Sequence, residues 1–277
     1  MASIGSAIGR LTELPSAPTV VLRLHSLMQR EDVGSHEIAR VVETDAALVA
    51  RILRLVNSPF YGFTRRVATI DEAIAILGSN SVHQLVLATS VFESLDGGRA
   101  LDIRDFWWHS LGVGSCAKHL LAHADRDTRN EAMMCGLLHD VGHLVFAKMD
   151  SALFESLYMA QGGVVTIAEE TKHYGVSHNQ VGSMLADKWN FPEPISAAIA
   201  FHHSPDSSPE KFRLLVAAVH IGDILAQTLG VGRCATPFVS VFSSKAWDML
   251  KIDENELERI MVSVVHEIQQ LNDVFGN

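Results

Sequence analysis

The chain is short of several things, and each shortage excludes a class of protein. Its three cysteines, Cys116, Cys135 and Cys234, are odd in number and form no CxxC pair. That excludes a disulfide framework and fits a reducing compartment, with three small buried apolar side chains as the plain reading. Charged residues are only 19% of the 277, the opposite of a disordered composition. Positive charge is the scarcer sign: 22 Lys and Arg against 32 Asp and Glu leave a net charge of −10. Such a chain has no general attraction for nucleic acid or an anionic membrane, and Arg65-Arg66 is too short for a basic patch. No uncharged apolar run reaches the ~18 residues of a membrane span. The opening MASIGSAIGRLTELP lacks a basic start followed by an apolar core, so it does not read as a signal peptide. The expectation is a cytoplasmic protein with neither nucleic-acid nor membrane partners.

What the chain has is apolar mass and histidine. Hydrophobic residues make up 48%, enough for a sizeable core, and the length suits about two domains. Of 14 histidines, His25, His36 and His83 precede residue 100 and eleven follow it. A histidine surplus in one half points to metal or proton chemistry there.

The apolar pattern is helical almost throughout. Ser35 reads as an N-cap. Leu48, Ile52, Leu55 and Val56 share one face of a helix from Ala47 to Val56, which Asn57-Ser58-Pro59 stops. Thr69 and Glu72 form a capping box for a helix that ends at Gly78. Ser81–Leu95 is another apolar, helix-length run. Asp96-Gly97-Gly98 is the clearest break, so the lobes are expected at 1–98 and 99–277. Further helices are expected over Asp105–Ala124, Glu131–Met149, Ser177–Trp189, Ile195–His203, Glu210–Leu229 and Asn255–Phe275, with Thr166 and Glu169 as a second capping box. Phe238–Phe242 alternates like a short strand, too isolated to alter an all-α fold.

The strongest chemical signal is Leu137-Leu138-His139-Asp140-Val141-Gly142-His143. A buried aspartate needs a partner or a cation, and imidazole beside carboxylate suits Fe, Mn or Zn. If this run is one helix, His139 and His143 lie on one face. Alone, the pair is weak. It is accompanied by His109 with Asp105 one turn earlier, by His178 with Gly182 four later, by His202-His203, and by Asp223 in an apolar helix. Trp107-Trp108 reads as core.

In this order the residues resemble the HD superfamily of metal-dependent phosphohydrolases, in the branch shared by the HD-GYP and HDOD families. The first half narrows the resemblance to HDOD: Leu14-Pro15-Ser16-Ala17-Pro18, Asp45-Ala46-Ala47-Leu48, Arg54-Leu55-Val56-Asn57-Ser58, and Asp71-Glu72-Ala73-Ile74 with Leu77-Gly78. It spans about residues 11 to 230. The resemblance implies two helical lobes, the second an HD-type bundle. It implies metal ligands at His109, His139, Asp140, His178, His202, His203 and Asp223, with Asp140 bridging two divalent ions (Fe, Mn or Zn). Asp105 is then an outer ligand or only a helix carboxylate. His173 competes with His178, and the glycine spacing favours His178.

Family members are usually regulatory modules, and many lack these ligands; here the set is nearly whole. Two departures from the active phosphodiesterase branch weigh against cyclic-di-GMP hydrolysis. His143 stands where a lysine is typical, and Ser204-Pro205-Asp206 follows His203 in place of Gly-Tyr-Pro. Asp140 and His143 are the candidate catalytic residues, His143 as proton donor or as a hydrogen-bonding neighbour. The resemblance therefore implies a signal-transduction protein with a protein partner. The alternatives are a hydrolase of a phosphorylated small molecule and a di-iron redox or oxygen sensor.

Overall fold

The computed structural model describes residues 14–30, 32–95, 101–160, 165–232 and 241–275. All regular structure among these residues is helical, with no strand, as the periodicity predicts. The expected Phe238–Phe242 strand lies mostly outside them; Val241 and Phe242 are described and carry no strand. The opening segment to residue 13, the Asp96-Gly97-Gly98 break and Cys234 also lie outside. None of the described helices is long and apolar enough to cross a membrane.

The chain forms two compact units, Ser16–Ser94 with His266–Asn277, and Met1–Pro15 with Leu95–Val265. The first contains α1 (Thr19–Met28), α2 (Ser35–Val42), α3 (Ala46–Val56), α4 (Ile70–Leu77) and α5 (Ser79–Ser94). Asp45 caps α3 by accepting from the backbone N–H of Ala47 and Leu48, both at 3.0 Å. The predicted apolar face of α3 is fully buried. Asn57 secures the stop after it: Nδ2 donates to the carbonyls of Leu53 and Val67 (2.7 and 2.8 Å), and Oδ1 accepts from Val67 N–H at 2.7 Å.

Two capping expectations change. Ser35 is the first residue of α2, and Gly34 occupies the cap without a side-chain bond. Thr69 does accept from Glu72 N–H, but Glu72 reaches one residue further back, to Ala68 N–H at 2.7 Å.

The second unit contains α6 (Ile103–Leu120), α7 (Arg126–Leu138), α8 (Val141–Met149), α9 (Ser151–Ala160), α10 (Ile167–Tyr174), α11 (His178–Lys188), α12 (Glu193–Phe201), α13 (Arg213–Thr228) and α14 (Ser244–Leu250). The last helix, α15 (Glu254–Phe275), divides its residues between the units. Helix α6 packs on both α7 and α13. It meets α7 at Gly114 and Gly136, where an added Cβ on Gly136 would stand 2.7 Å from Gly114 Cα. Backbones that close leave no room for a side chain. The expected single helix Glu131–Met149 is two helices, α7 and α8, parted at His139–Asp140. The expected Glu210–Leu229 helix opens with a 3-10 turn at Glu210–Phe212 before α13 begins.

Candidate metal centre

The junction of α7 and α8 places the central pair. His139 keeps helical angles and closes α7, while Asp140, at φ −100° and ψ 16°, opens α8. The pair therefore stands between helices, and His139 and His143 do not share a helical face. Gly142 allows this arrangement, because an added Cβ there would overlap the His178 carbonyl oxygen. Gly182, one turn into α11, lies against Ile199 and the Gly142 nitrogen. The His-x-x-x-Gly spacing thus has a packing reason: two glycines let α8 and α11 meet, and His178 arrives beside Asp140.

Asp140 turns its two oxygens to different histidines. Oδ2 lies 3.3 Å from His139 Nε2, and Oδ1 lies 3.2 Å from His202 Nε2 and 3.5 Å from His178 Nε2. Asp223 Oδ1, from α13, lies 3.2 Å from His109 Nε2 and 3.9 Å from His139 Nε2. His203 Nε2 is 2.9 Å from His178 Nε2. Three groups have donor atoms within ligand reach of one another: Asp140, His178, His202 and His203; His109, His139 and Asp140; and His143, Glu170 and His178. The first two share Asp140, and the third meets the first at His178. All are buried except His203, which is half-buried.

The tautomers follow from the hydrogen bonds. His139 Nδ1–H donates to Gly136 O at 2.8 Å. His202 Nδ1–H donates to Ala198 O and Ile199 O at 3.1 and 3.0 Å. His178 Nδ1–H donates to Glu170 at 2.8 Å. In each neutral ring Nε2 then carries a lone pair aimed at the carboxylates. His139 Nε2 and Asp140 Oδ1 are buried and make no hydrogen bond. Lone pairs facing carboxylate oxygens repel unless a cation stands between them, so the donor set fits divalent metal of the N/O-preferring kind.

The protonation states of the two carboxylates and of His203 agree with this fit. Burial alone would raise Asp140, but His139, then His202 and His143, hold it well below the usual carboxylate range. Asp223 is likewise lowered against its burial, chiefly by His109. Burial, with His202 and His178 adding, pushes His203 down to about 2. Burial opposes charge on His178, but its bond to Glu170 and the nearby carboxylates outweigh that and raise it. Anionic carboxylates and neutral imidazoles are what metal binding requires, so a metal must displace the proton that Glu170 favours on His178.

All seven expected ligands converge here. His173 is exposed, and Asp105 is half-buried at the start of α6, outside all three groups. Trp107 and Trp108 are half-buried, not core. His143 is buried, stacked on His178 at 4.2 Å, with Nδ1 3.4 Å from Glu170 Oε1. Three neighbours escaped the sequence reading. Glu170 is buried against His178. Gln227 Nε2 donates to Asp223 Oδ1 at 2.7 Å. His220 Nδ1–H donates to His202 O at 2.7 Å. Only spacing along α13 hinted at Gln227, and His220 was visible only as a neighbour of Asp223.

Comparison with known proteins gives a consistent pattern. The model of the HDOD domain family matches residues 14–205. A protein of Treponema pallidum (strain Nichols), described as uncharacterized, is 28% identical over 230 residues, which are 81% of this chain and 44% of that protein. The chain thus spans less than half the length of that relative. Among solved structures, an HDOD domain protein with unknown function from Geobacter sulfurreducens matches at a TM-score of 0.75, with 23% identity and 99% of both chains covered. A "Putative phosphohydrolase" from Shewanella amazonensis SB2B matches at 0.67, with 24% identity, 95% of this chain and 88% of that one. A "Putative signal transduction protein" from Marinobacter aquaeolei VT8 matches at 0.72, with 21% identity, 96% of this chain and 60% of that one. At these identities the structural likeness shows the fold.

Proposed function

The chain belongs to the HDOD domain family, and on that premise we propose that it is a signal-transduction protein whose second unit carries a two-metal histidine–aspartate centre. The observation that carries the metal reading is the split carboxylate of Asp140, with one oxygen toward His139 and the other toward His178 and His202. One metal would be held by His109, His139, Asp140 and Asp223, the other by Asp140, His178, His202 and His203. Side chains from α6, the α7–α8 junction, α11, the end of α12 and α13 are then tied at one point, so metal occupancy governs how firmly those helices hold together. Buried free thiols at Cys116 and Cys135 suit a reducing, cytoplasmic setting. The partner we propose is another signalling protein.

Hydrolysis of a phosphorylated small molecule is the second reading, favoured by the same shared carboxylate. A metal pair of this kind supplies Lewis acidity and lowers the pKa of a coordinated water. His143 weighs against it. Burial, then the charge of His178, pushes His143 down to about 4. In the metal-free protein at neutral pH it is therefore uncharged, with no acidic proton ready for a leaving group. The test is a turnover screen of metal-loaded protein on nitrophenyl phosphates, nucleotides and cyclic dinucleotides, beside Asp140→Asn. The regulatory reading expects no turnover above the variant. Turnover in the wild type that vanishes in Asp140→Asn would replace it with the hydrolase.

A further inference from the structure

We propose that Glu170 is the positioning residue for one half of the centre: it fixes His178 as a ligand and so governs the metal held by Asp140, His178, His202 and His203, leaving the other metal unaffected. This rests on the two-metal reading above.

Glu170 is fully buried, and a buried carboxylate is costly unless something needs its charge. Helix capping accounts for only part of it, the backbone N–H of His178 at the start of α11. The capping box of α10 is closed by Thr166 and Glu169, with Thr166 N–H donating to Glu169 Oε2 at 3.2 Å. The capping box of α11 is closed by Ser177 and Gln180, with Ser177 N–H donating to Gln180 Oε1 at 3.0 Å. Glu170 stands apart from both and accepts its hydrogen bonds from a single residue. It accepts the backbone N–H of His178 at 2.8 Å and the ring Nδ1–H of His178 at 2.8 and 3.0 Å.

The other tied ligands differ. His139 and His202 give their Nδ1–H to backbone carbonyls, whereas His178 gives its own to a carboxylate. A carboxylate behind a ligating imidazole locks the ring and makes its far nitrogen the stronger donor. His178 is thus backed by a full negative charge, which His139 and His202 lack. The free face of Glu170 meets His143 Nδ1 at 3.4 Å, and His143 lies flat on His178 at 4.2 Å. The His178 ring is thus held at its edge by Glu170 and on its face by His143.

The test is cobalt(II) titration of chelator-stripped wild type, Glu170→Gln, Glu170→Asp and Glu169→Gln. It is followed by calorimetry and visible absorption, with His109→Ala and His202→Ala marking which half is which. Wild type takes up two ions. In Glu170→Gln the half containing His178 loses roughly 10- to 100-fold in affinity, the usual size of such an effect, while the other half and the metal-free melting temperature stay near wild type. Glu170→Asp, the variant to rely on if the glutamine does not fold, keeps the charge and weakens the same half by less. Glu169→Gln leaves both halves unchanged. Equal weakening of both halves, or unaltered binding of both ions in Glu170→Gln, overturns the proposal while the two-metal reading stands. A wild type that takes up no cobalt overturns both.

Discussion

His139 and Asp140 are adjacent in the chain and belong to different helices, His139 ending α7 and Asp140 starting α8. Their side chains consequently serve different neighbours. The His139 ring stands 5.6 Å from that of His109, and Asp140 spans the gap to His178 and His202. Within one continuous helix, two successive side chains would diverge by about 100°; the break lets both point into one centre.

Removing metal should loosen the second unit selectively. If the centre binds two ions, each contributes about 2.7 kcal/mol to stability when free metal is ~100-fold above its Kd. Chelation should lower the melting temperature and speed amide exchange in α6, α11, α12 and α13, while α1 to α5 exchange as before. Hydrogen-exchange mass spectrometry with and without chelator reads this directly. Equal protection in both states would mean that no metal ties these helices.

Gly142→Ala should be severe. The new methyl would collide with the carbonyl of His178, which is backbone and cannot swing aside. The expected cost is about 3 kcal/mol or more, at the upper end for overpacking, together with weakened metal binding as His178 is pushed from Asp140. Gly34→Ala, with nothing within 4 Å of the added carbon, is the control. Urea denaturation of both variants measures the difference, and parity between them would refute the close crossing of α8 and α11.

The first unit should carry its own acid sensitivity. Burial, with His25 adding, pushes His83 from 6.5 down to about 4. A histidine whose pKa is depressed by folding binds protons more readily when unfolded. Its neutral form therefore costs nothing above pH 6.5, and stability falls as pH drops from there towards 4. Between pH 7 and pH 5 the loss from this one group is about 2 kcal/mol. His83→Gln should lose that much less over the same range in urea melts. An identical pH dependence in variant and wild type would show that His83 is not the group responsible.

Much of the fold and the centre was legible in the chain itself, for identifiable reasons. The face of α3, the Gly78 terminus and the Thr166–Glu169 box are set by local periodicity and capping, which short windows reveal. The seven histidines and aspartates stood out because an imidazole or carboxylate within an apolar helical run is costly to bury unless a partner or a cation meets it. The break at His139–Asp140 was hidden: the run from Met133 to Phe146 contains no proline, and its cause is the crossing of α11 at Gly142, a tertiary contact. Glu170 was hidden because it follows Glu169 in a capping segment, where an acidic residue normally serves the helix N-terminus in solvent. Ser35 misled for a related reason, since a serine beside a glycine offers two cap positions and the chain uses the glycine.

The central claim is that the histidine–aspartate cluster is a working two-metal site. The most direct measurement is elemental analysis of protein purified without added metal, beside an Asp140→Ala variant shown to be folded. The account predicts about two transition-metal ions per chain in the wild type and loss of both in the variant, because Asp140 faces both halves. A folded wild type that carries no metal and takes up none on reconstitution would contradict it.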